Sequence, residues 1–391
     1  MPAMVKYHYF KERNTIGKVY KNMERSVYEI GNAKTTVIFP ERNSNIATKG
    51  LRGILNADKI TGDIVIIYDE NVPGEFIRYY SKAFAPKAAI SLGDNKKNTD
   101  TYLEIISGLS SLSFKKNDML IAVGGGSTTD IAGFVACTYK RGIDFAIIPS
   151  TLLCAVDAGL GGKNGINTAE AKNLIGTFYQ PKYVINDFSM LSGLNSELIH
   201  EATAELIKMA LLGNDLLLNI LANSDANDES TIFDNLSQIV KSATDQKMKI
   251  VCKDIYDMGE RKFLNFGHTL GHAIESYSEY KISHGRAVAY GMIGACNLGL
   301  KLGITSRKFK QALLNLLQTH GFDTAFNFTY ENLIDHMLLD KKRESQDISF
   351  VIPKDIHKFT IVNISPDELK AERSEERRVG KECRSRWSPY H

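Results

Sequence analysis

The sequence predicts an α/β chain in two parts: a Rossmann-like parallel-sheet domain over residues 1–190, followed by a mainly α-helical domain over 191–372. Three observations carry this. Up to Asp187, strand-length apolar runs alternate with segments of helical spacing, the pattern of a parallel sheet with crossover helices. After Leu191, successive segments carry apolar residues three and four apart. Between the apolar run MLIAV and a helix-like segment lies Gly124-Gly125-Gly126, where backbone can approach a phosphate closely and helix N–H groups point at it.

Residues 1 to about 60 carry the least pattern, although VYEIG and TTVIFP read as strands and 41–53 as a loop and helix start. IVIIY is a strand ending at Asp69, a carboxylate at the edge where open parallel sheets bind ligands; Asp69 would serve equally as a helix N-cap. FIRYYSKAF is a short helix, AAISLG a strand, Asp94-Asn95-Lys96-Lys97 a polar loop, and TDTYLEIISGLSSL a helix leading into MLIAV. Asp130 opens the helix IAGFVACTYKRG, FAIIP is the next strand and YVIND the last of the sheet. Beyond it SELIHEATAELIKMALLG, IFDNLSQIVKSATDQKMKIV, FGHTLGHAIESYSEY, GRAVAYGMIGACNLGLKLG and SRKFKQALLNLLQTHG are helices, closed by the strand candidates ISFVIP and HKFTIVN.

At 391 residues the chain can bury two cores. No apolar run reaches bilayer length and the first residues hold no apolar leader core, so a cytoplasmic protein with no membrane span is expected. The segment 373–391, RSEERRVGKECRSRWSPYH, is aperiodic and reads as a non-native tail. Without its six basic and three acidic residues the formal charge of +3 falls to zero, which removes any argument for nucleic acid. Cys137, Cys154, Cys252 and Cys296 have apolar neighbours and form no C-x-x-C pair, so buried free thiols are expected.

Two constellations carry chemistry. From Met119 to Gly176, Asp130, Arg141, Asp157, Lys163, Lys172 and Asn173 are set among small residues, a composition that suits a charged pocket better than a core. Lys163, Lys172, Lys208, Lys247, Arg261 and the pair Lys341-Lys342 interrupt apolar or glycine-rich surroundings. Each alone reads as solvated, but together they predict a small multiply anionic ligand, such as a phosphate ester that carries a carboxylate. In the helical half, His268 and His272 share a helical face, His284 follows in SHGRA, and Glu205 interrupts the apolar stripe AELIKMA. This set suits a divalent ion of the zinc type with an open position. Spacing alone picks His268 and His272 as the ligand pair; for any one histidine, a hydrogen-bonded core role is the alternative.

In this order GGGSTTDIAGFVACTYKRG, PSTLLCAVDAGLGGKNGIN, KNLIGTFYQP, AELIKMA, RKFLNFGHTLGHAIE and SHGRAVAYGM resemble the sugar phosphate cyclases, over about Asp69 to Lys342. The resemblance implies that Glu205, His268 and His284 hold the divalent metal, zinc or alternatively cobalt, and that His272 contacts substrate. It implies NAD over Gly124, Gly125, Gly126 and Ser127, with Asp69, Asp94, Lys97, Asp130, Ser150, Thr151, Asp157 and Lys172 around it. Substrate contacts would fall to Asp157, Lys163, Asn173, Lys208, Lys247, Arg261, Asn265, His272 and a lysine of the 341–342 pair, Lys342 being preferred. Arg141 would reach the substrate phosphate of a neighbouring subunit, which implies a homodimer. The implied reaction is transient oxidation of a sugar phosphate by bound NAD, phosphate elimination, reduction and intramolecular aldol closure to a carbocycle.

Arg261 and Asn265 favour the cyclases whose substrate carries a carboxylate. A sister cyclase, an NAD-dependent polyol dehydrogenase on the same fold and a catalytically silent nucleotide-binding regulator are the alternatives. Ser127-Thr128-Thr129, Ser150, Asp94 and Ala158-Gly159 depart from the usual cyclase residues, and GGGS before an aspartate resembles the glycerol and iron-type alcohol dehydrogenases.

Overall fold

The computed structural model describes residues 23–40, 53, 60–93, 96–169, 171–224, 230–340 and 347–370. Asp94, Lys341, Lys342, the tail from 373 and much of the first sixty residues lie outside the described residues. The chain divides into two compact units, Met1–Ala202 with Glu229–Arg261, and Thr203–Asp228 with Lys262–His391.

The first unit is built on a seven-stranded sheet. Its strands are β1 (Met23–Ile30), β2 (Ala33–Pro40), β3 (Ile64–Asp69), β4 (Ala88–Leu92), β5 (Met119–Gly124), β6 (Asp144–Pro149) and β9 (Tyr183–Ile185), in the order β1-β2-β9-β6-β5-β3-β4. Only β1 and β2 pair antiparallel; the other pairings are parallel. Every residue of β5 is buried, which its unbroken apolar run requires of a central strand covered on both faces. The crossover helices α1 (Gly74–Phe84), α2 (Thr99–Ser111) and α3 (Gly126–Thr138) follow β3, β4 and β5.

Local structure in and around the sheet departs from expectation. Helix α3 starts at Gly126 rather than Asp130, because Gly125 takes an extended N-cap conformation and its carbonyl accepts from Thr129 N at 3.1 Å. Asp69 does not cap α1, whose N-cap is Pro73; its carboxylate instead accepts from Asn71 N and Nδ2 at 2.9 and 3.0 Å. An antiparallel hairpin, β7 (Lys163–Ile166) with β8 (Ile175–Phe178), forms from glycine- and asparagine-rich segments that carry no strand pattern.

The segment read as one helix after 231 breaks at Asn235 into Ser230–Asp234 and a long helix, Leu236–Lys253. The long helix belongs to the first unit, so a single boundary near 190 does not describe the chain. Its Lys241 pairs with Glu24 of β1 at 2.6 Å, and Asp245 accepts a hydrogen bond from Tyr28 of the same strand.

The second unit is mainly helical. Helix His268–Tyr277 packs against His284–Lys301 and Tyr330–Asp340, and a hairpin of Ile348–Asp355 with Lys358–Ile364 completes it. Glycine permits a close crossing: a Cβ at Gly291 would lie 1.9 Å from the Gly267 carbonyl oxygen, so the helices opened by His268 and His284 meet backbone to backbone. Among the described residues, no helix is long and apolar enough to cross a membrane. Cys154 and Cys296 are buried free thiols as expected, whereas Cys137 and Cys252 are half-buried.

Candidate active site

In the second unit, three elements bring donor atoms to one point. Glu205 and Lys208 lie one turn apart on the helix Ser196–Leu211, both fully buried and paired through Glu205 Oε2. Glu205 Oε1 lies 3.3 Å from His268 Nε2 and 3.6 Å from His284 Nε2. The far nitrogens are occupied: His268 Nδ1 faces the Phe266 carbonyl at 3.3 Å and His284 Nδ1 faces Glu275 Oε2 at 3.2 Å. Both partners accept, so each Nδ1 carries a proton and each ring turns its Nε2 toward Glu205.

These residues fit a divalent cation. Glu205 Oε1 is buried with no hydrogen-bond partner, Oε2 being taken by the Lys208 ammonium, and ligand atoms of Glu205, His268 and His284 lie within 4.8 Å of one another. One buried carboxylate and two half-buried imidazoles are zinc-type chemistry. Burial pushes the Glu205 carboxyl up, but Lys208 and then the two imidazoles outweigh it and hold it well below the usual range. Burial and Lys208 push His268 down to about 3, while His284, lowered by burial, is carried up to about 10 by Glu205 and Glu275.

Spacing alone pairs His268 with His272, and here the geometry differs. Their rings meet edge-on with centroids 5.4 Å apart, but no convergent donor group among the described residues contains both; His272 groups with Glu275 and His284 instead. Asn265, at the end of the short turn Glu260–Asn265, and His272 are half-buried.

In the first unit, the expected polar set is held by ion pairs and main-chain contacts. Lys247, on the long helix, is buried and donates to the Asp157 carbonyl and Oδ1, each at 2.6 Å. Arg261 is 2 % exposed; it donates through Nη2 to the Gly161 carbonyl at 2.9 Å and through Nη1 to the Ile255 carbonyl at 2.6 Å. Burial lowers the Arg261 guanidinium despite nearby Asp257, Asp157 and Asp254. Asp254 shapes the turn that delivers it, accepting from the backbone N–H groups of Met258, Gly259 and Arg261 at 2.9, 2.6 and 3.1 Å. Lys163, half exposed, pairs with Asp257.

Around the glycine turn, Ser150 N donates to the Gly124 carbonyl at 2.9 Å, and Thr151 Oγ1 accepts from Cys154 N at 3.1 Å. Lys97 pairs with Asp130 and hydrogen-bonds Asn173, joining three expected residues from three segments. Burial pushes the Asp130 carboxyl up even against Lys97. Ser127 and Lys172 are exposed, and Gly125 and Gly126 are half-buried.

Arg141 is exposed in a turn where Lys140, Arg141 and Gly142 take φ of 49°, 61° and 104° in succession. Lys116 ties this turn, its ammonium reaching the carbonyls of Lys140 at 3.3 Å and Arg141 at 3.2 Å as well as that of Gly142. Glu275, Asp254, Asp257 and Lys116 escaped the sequence reading. Only Glu275 carried a signal, one helical turn beyond His272 on the histidine-bearing face.

Models of the 3-dehydroquinate synthase N-terminal and C-terminal domains match residues 87–201 and 202–343. The chain is 37% identical to the 3-dehydroquinate synthase of a Nitratiruptor species, covering 80% of this chain and 90% of that one. It is 35% identical to the 3-dehydroquinate synthase of Alkaliphilus oremlandii, covering 85% and 93%. A similar fold is seen in a crystal structure of 2-deoxy-scyllo-inosose synthase complexed with carbaglucose-6-phosphate, NAD+ and Co2+, at TM-score 0.76 and 22% identity over 89% of this chain and 98% of that one.

Proposed function

Since the chain belongs to the 3-dehydroquinate synthase family, we propose that it converts 3-deoxy-D-arabino-heptulosonate 7-phosphate to 3-dehydroquinate and phosphate. The enzyme is a phosphate-eliminating lyase that serves aromatic biosynthesis through the shikimate pathway, in the cytoplasm. The observation that carries the reading is the buried Glu205 Oε1, which has no hydrogen-bond partner and faces the Nε2 atoms of His268 and His284. With Oε2 paired to Lys208, the buried Oε1 and the two half-buried imidazoles leave the point between them to a second cation.

Glu205, His268 and His284 would hold one divalent metal, zinc or cobalt, which when bound supplies Lewis-acid polarisation of substrate oxygens. NAD, carried by the turn Gly124–Ser127 with Asp69, Asp94, Lys97, Asp130, Ser150, Thr151 and Lys172, supplies the transient oxidation. The residues of this chain bind, orient and neutralise. Arg261, already fixed through two of its nitrogens, presents its remaining donors to the substrate carboxylate together with Asn265. Lys163, Lys208, Lys247, His272, Asn173 and Lys342 balance the phosphate and hydroxyl groups, and Asp157 holds the Lys247 ammonium in place. Arg141, presented by the turn that Lys116 ties, reaches the phosphate bound by a second copy of the chain, so the working form is a homodimer.

The test is phosphate release and dehydroquinate formation by the purified protein with NAD and zinc. Activity that disappears on chelation and returns with zinc supports the reading. No phosphate release, with net NADH formed from simple polyols, would move the protein to the dehydrogenases.

A further inference from the structure

We propose that Glu275 is a positioning residue that fixes the ring and tautomer of His284 for the metal. The inference rests on Glu205, His268 and His284 being the ligands. Two imidazoles face Glu205, and each needs its Nε2 lone pair turned inward. Their supports differ in kind. His268 is held by a main-chain carbonyl, that of Phe266, which no side-chain substitution removes. His284 is held by a side chain, Glu275 Oε2 at 3.2 Å from Nδ1.

Glu275 sits on the same helix and face as His268 and His272, so one helix carries a ligand and the support of a ligand on its neighbour. The close crossing at Gly291 places the two helices near enough for that reach. An ionised carboxylate only accepts, so it selects the Nδ1–H form of His284 and leaves Nε2 to the ion. Glu275 could instead be a ligand itself, since its carboxylate also groups with His272 and His284 within 4.8 Å, and the two roles give different stoichiometries.

The experiment measures zinc affinity and stoichiometry of the full-length protein by competition with a chromogenic chelator, for the wild type, Glu275→Gln and Glu275→Ala. One zinc per chain is expected in all three, with affinity about 10- to 100-fold weaker in Glu275→Ala. Glu275→Gln, whose amide oxygen still accepts from Nδ1–H, should retain most of the affinity. Cobalt-loaded Glu275→Ala should also show an altered visible d–d spectrum, which a change confined to substrate binding would not cause.

Wild-type zinc affinity in Glu275→Ala overturns the proposal. So does a second zinc equivalent that only Glu275→Ala and Glu275→Gln lose. A wild type that binds no zinc would instead remove the metal reading on which the inference rests.

Discussion

Arg261 donates to the carbonyl of Gly161 at 2.9 Å, and Gly161 holds φ at +89°. The missing side chain is what lets the guanidinium approach: a Cβ there would lie 2.7 Å from Arg261 Nη2 and 2.9 Å from Val251 Cγ2. A residue in a glycine-rich loop and an arginine far along the chain thus form one device.

Gly161→Ala should therefore behave as a variant of Arg261. We expect a loss of stability of about 1–3 kcal/mol from the left-handed backbone, seen in urea unfolding. We also expect a raised KM for the carboxylated substrate, as in Arg261→Ala. A destabilised Gly161→Ala enzyme with unchanged KM would show that the contact does not serve binding.

Replacing Glu205 by alanine removes the proposed metal donor and strands Lys208, which is 1 % exposed. The zinc affinity should fall more than about 100-fold, and breaking the buried pair should cost about 3–5 kcal/mol. Chelator competition reads the first and denaturant unfolding of the metal-free proteins the second. Chelation of the wild type should abolish turnover, with added zinc restoring it.

If Arg141 works on the neighbouring subunit, two inactive variants should rescue each other. Mixing Arg141→Ala with Lys247→Ala and allowing subunits to exchange places one intact site in each hybrid dimer. Random pairing then restores about a quarter of wild-type activity. No recovery, with exchange verified by mass spectrometry, would place Arg141 in its own subunit's site or outside any site.

The Asp254 carboxyl is pushed up by burial but held below its usual range by the backbone N–H groups of Met258, Gly259 and Arg261. A carboxylate depressed in the folded state stabilises fully above its unfolded pKa, about 3.9, and that contribution is lost as pH falls through the folded value. Asp254→Asn should flatten the acid side of the stability profile and loosen the turn before Arg261. Urea midpoints between pH 3 and 6 check this, and an unchanged acid slope would remove Asp254 as its source.

The parallel sheet is legible in the sequence because buried strands such as Met119–Gly124 cannot be anything but apolar. Helices are equally legible, but their partners are not. The spacing of Leu236–Lys253 declares a helix without saying that Asp245 meets Tyr28 of the first strand. The same limit applies to the histidines. Helical spacing relates His268 to His272, whereas the contacts of Glu205 and His284 with His268 come from other helices and depend on packing. Glu275 lies on the histidine-bearing face, but nothing in the spacing says that His284 sits beside it. The hairpin of Lys163–Ile166 and Ile175–Phe178 escapes because Asn164, Gly165 and Gly176 interrupt two segments of only four residues, leaving the strand formers Ile166, Ile175, Thr177 and Phe178 too few to make a pattern.

The first unit is discontinuous, its second piece Glu229–Arg261 following a detour of the chain through Thr203–Asp228. Lys247 and Arg261 both lie in that second piece. A gene fragment ending after Ala202 would encode the whole described sheet and glycine turn yet lack both cations. Recombination at a single breakpoint cannot move this unit intact, so the gene is expected to diversify by substitution within both halves rather than by exchanging one of them.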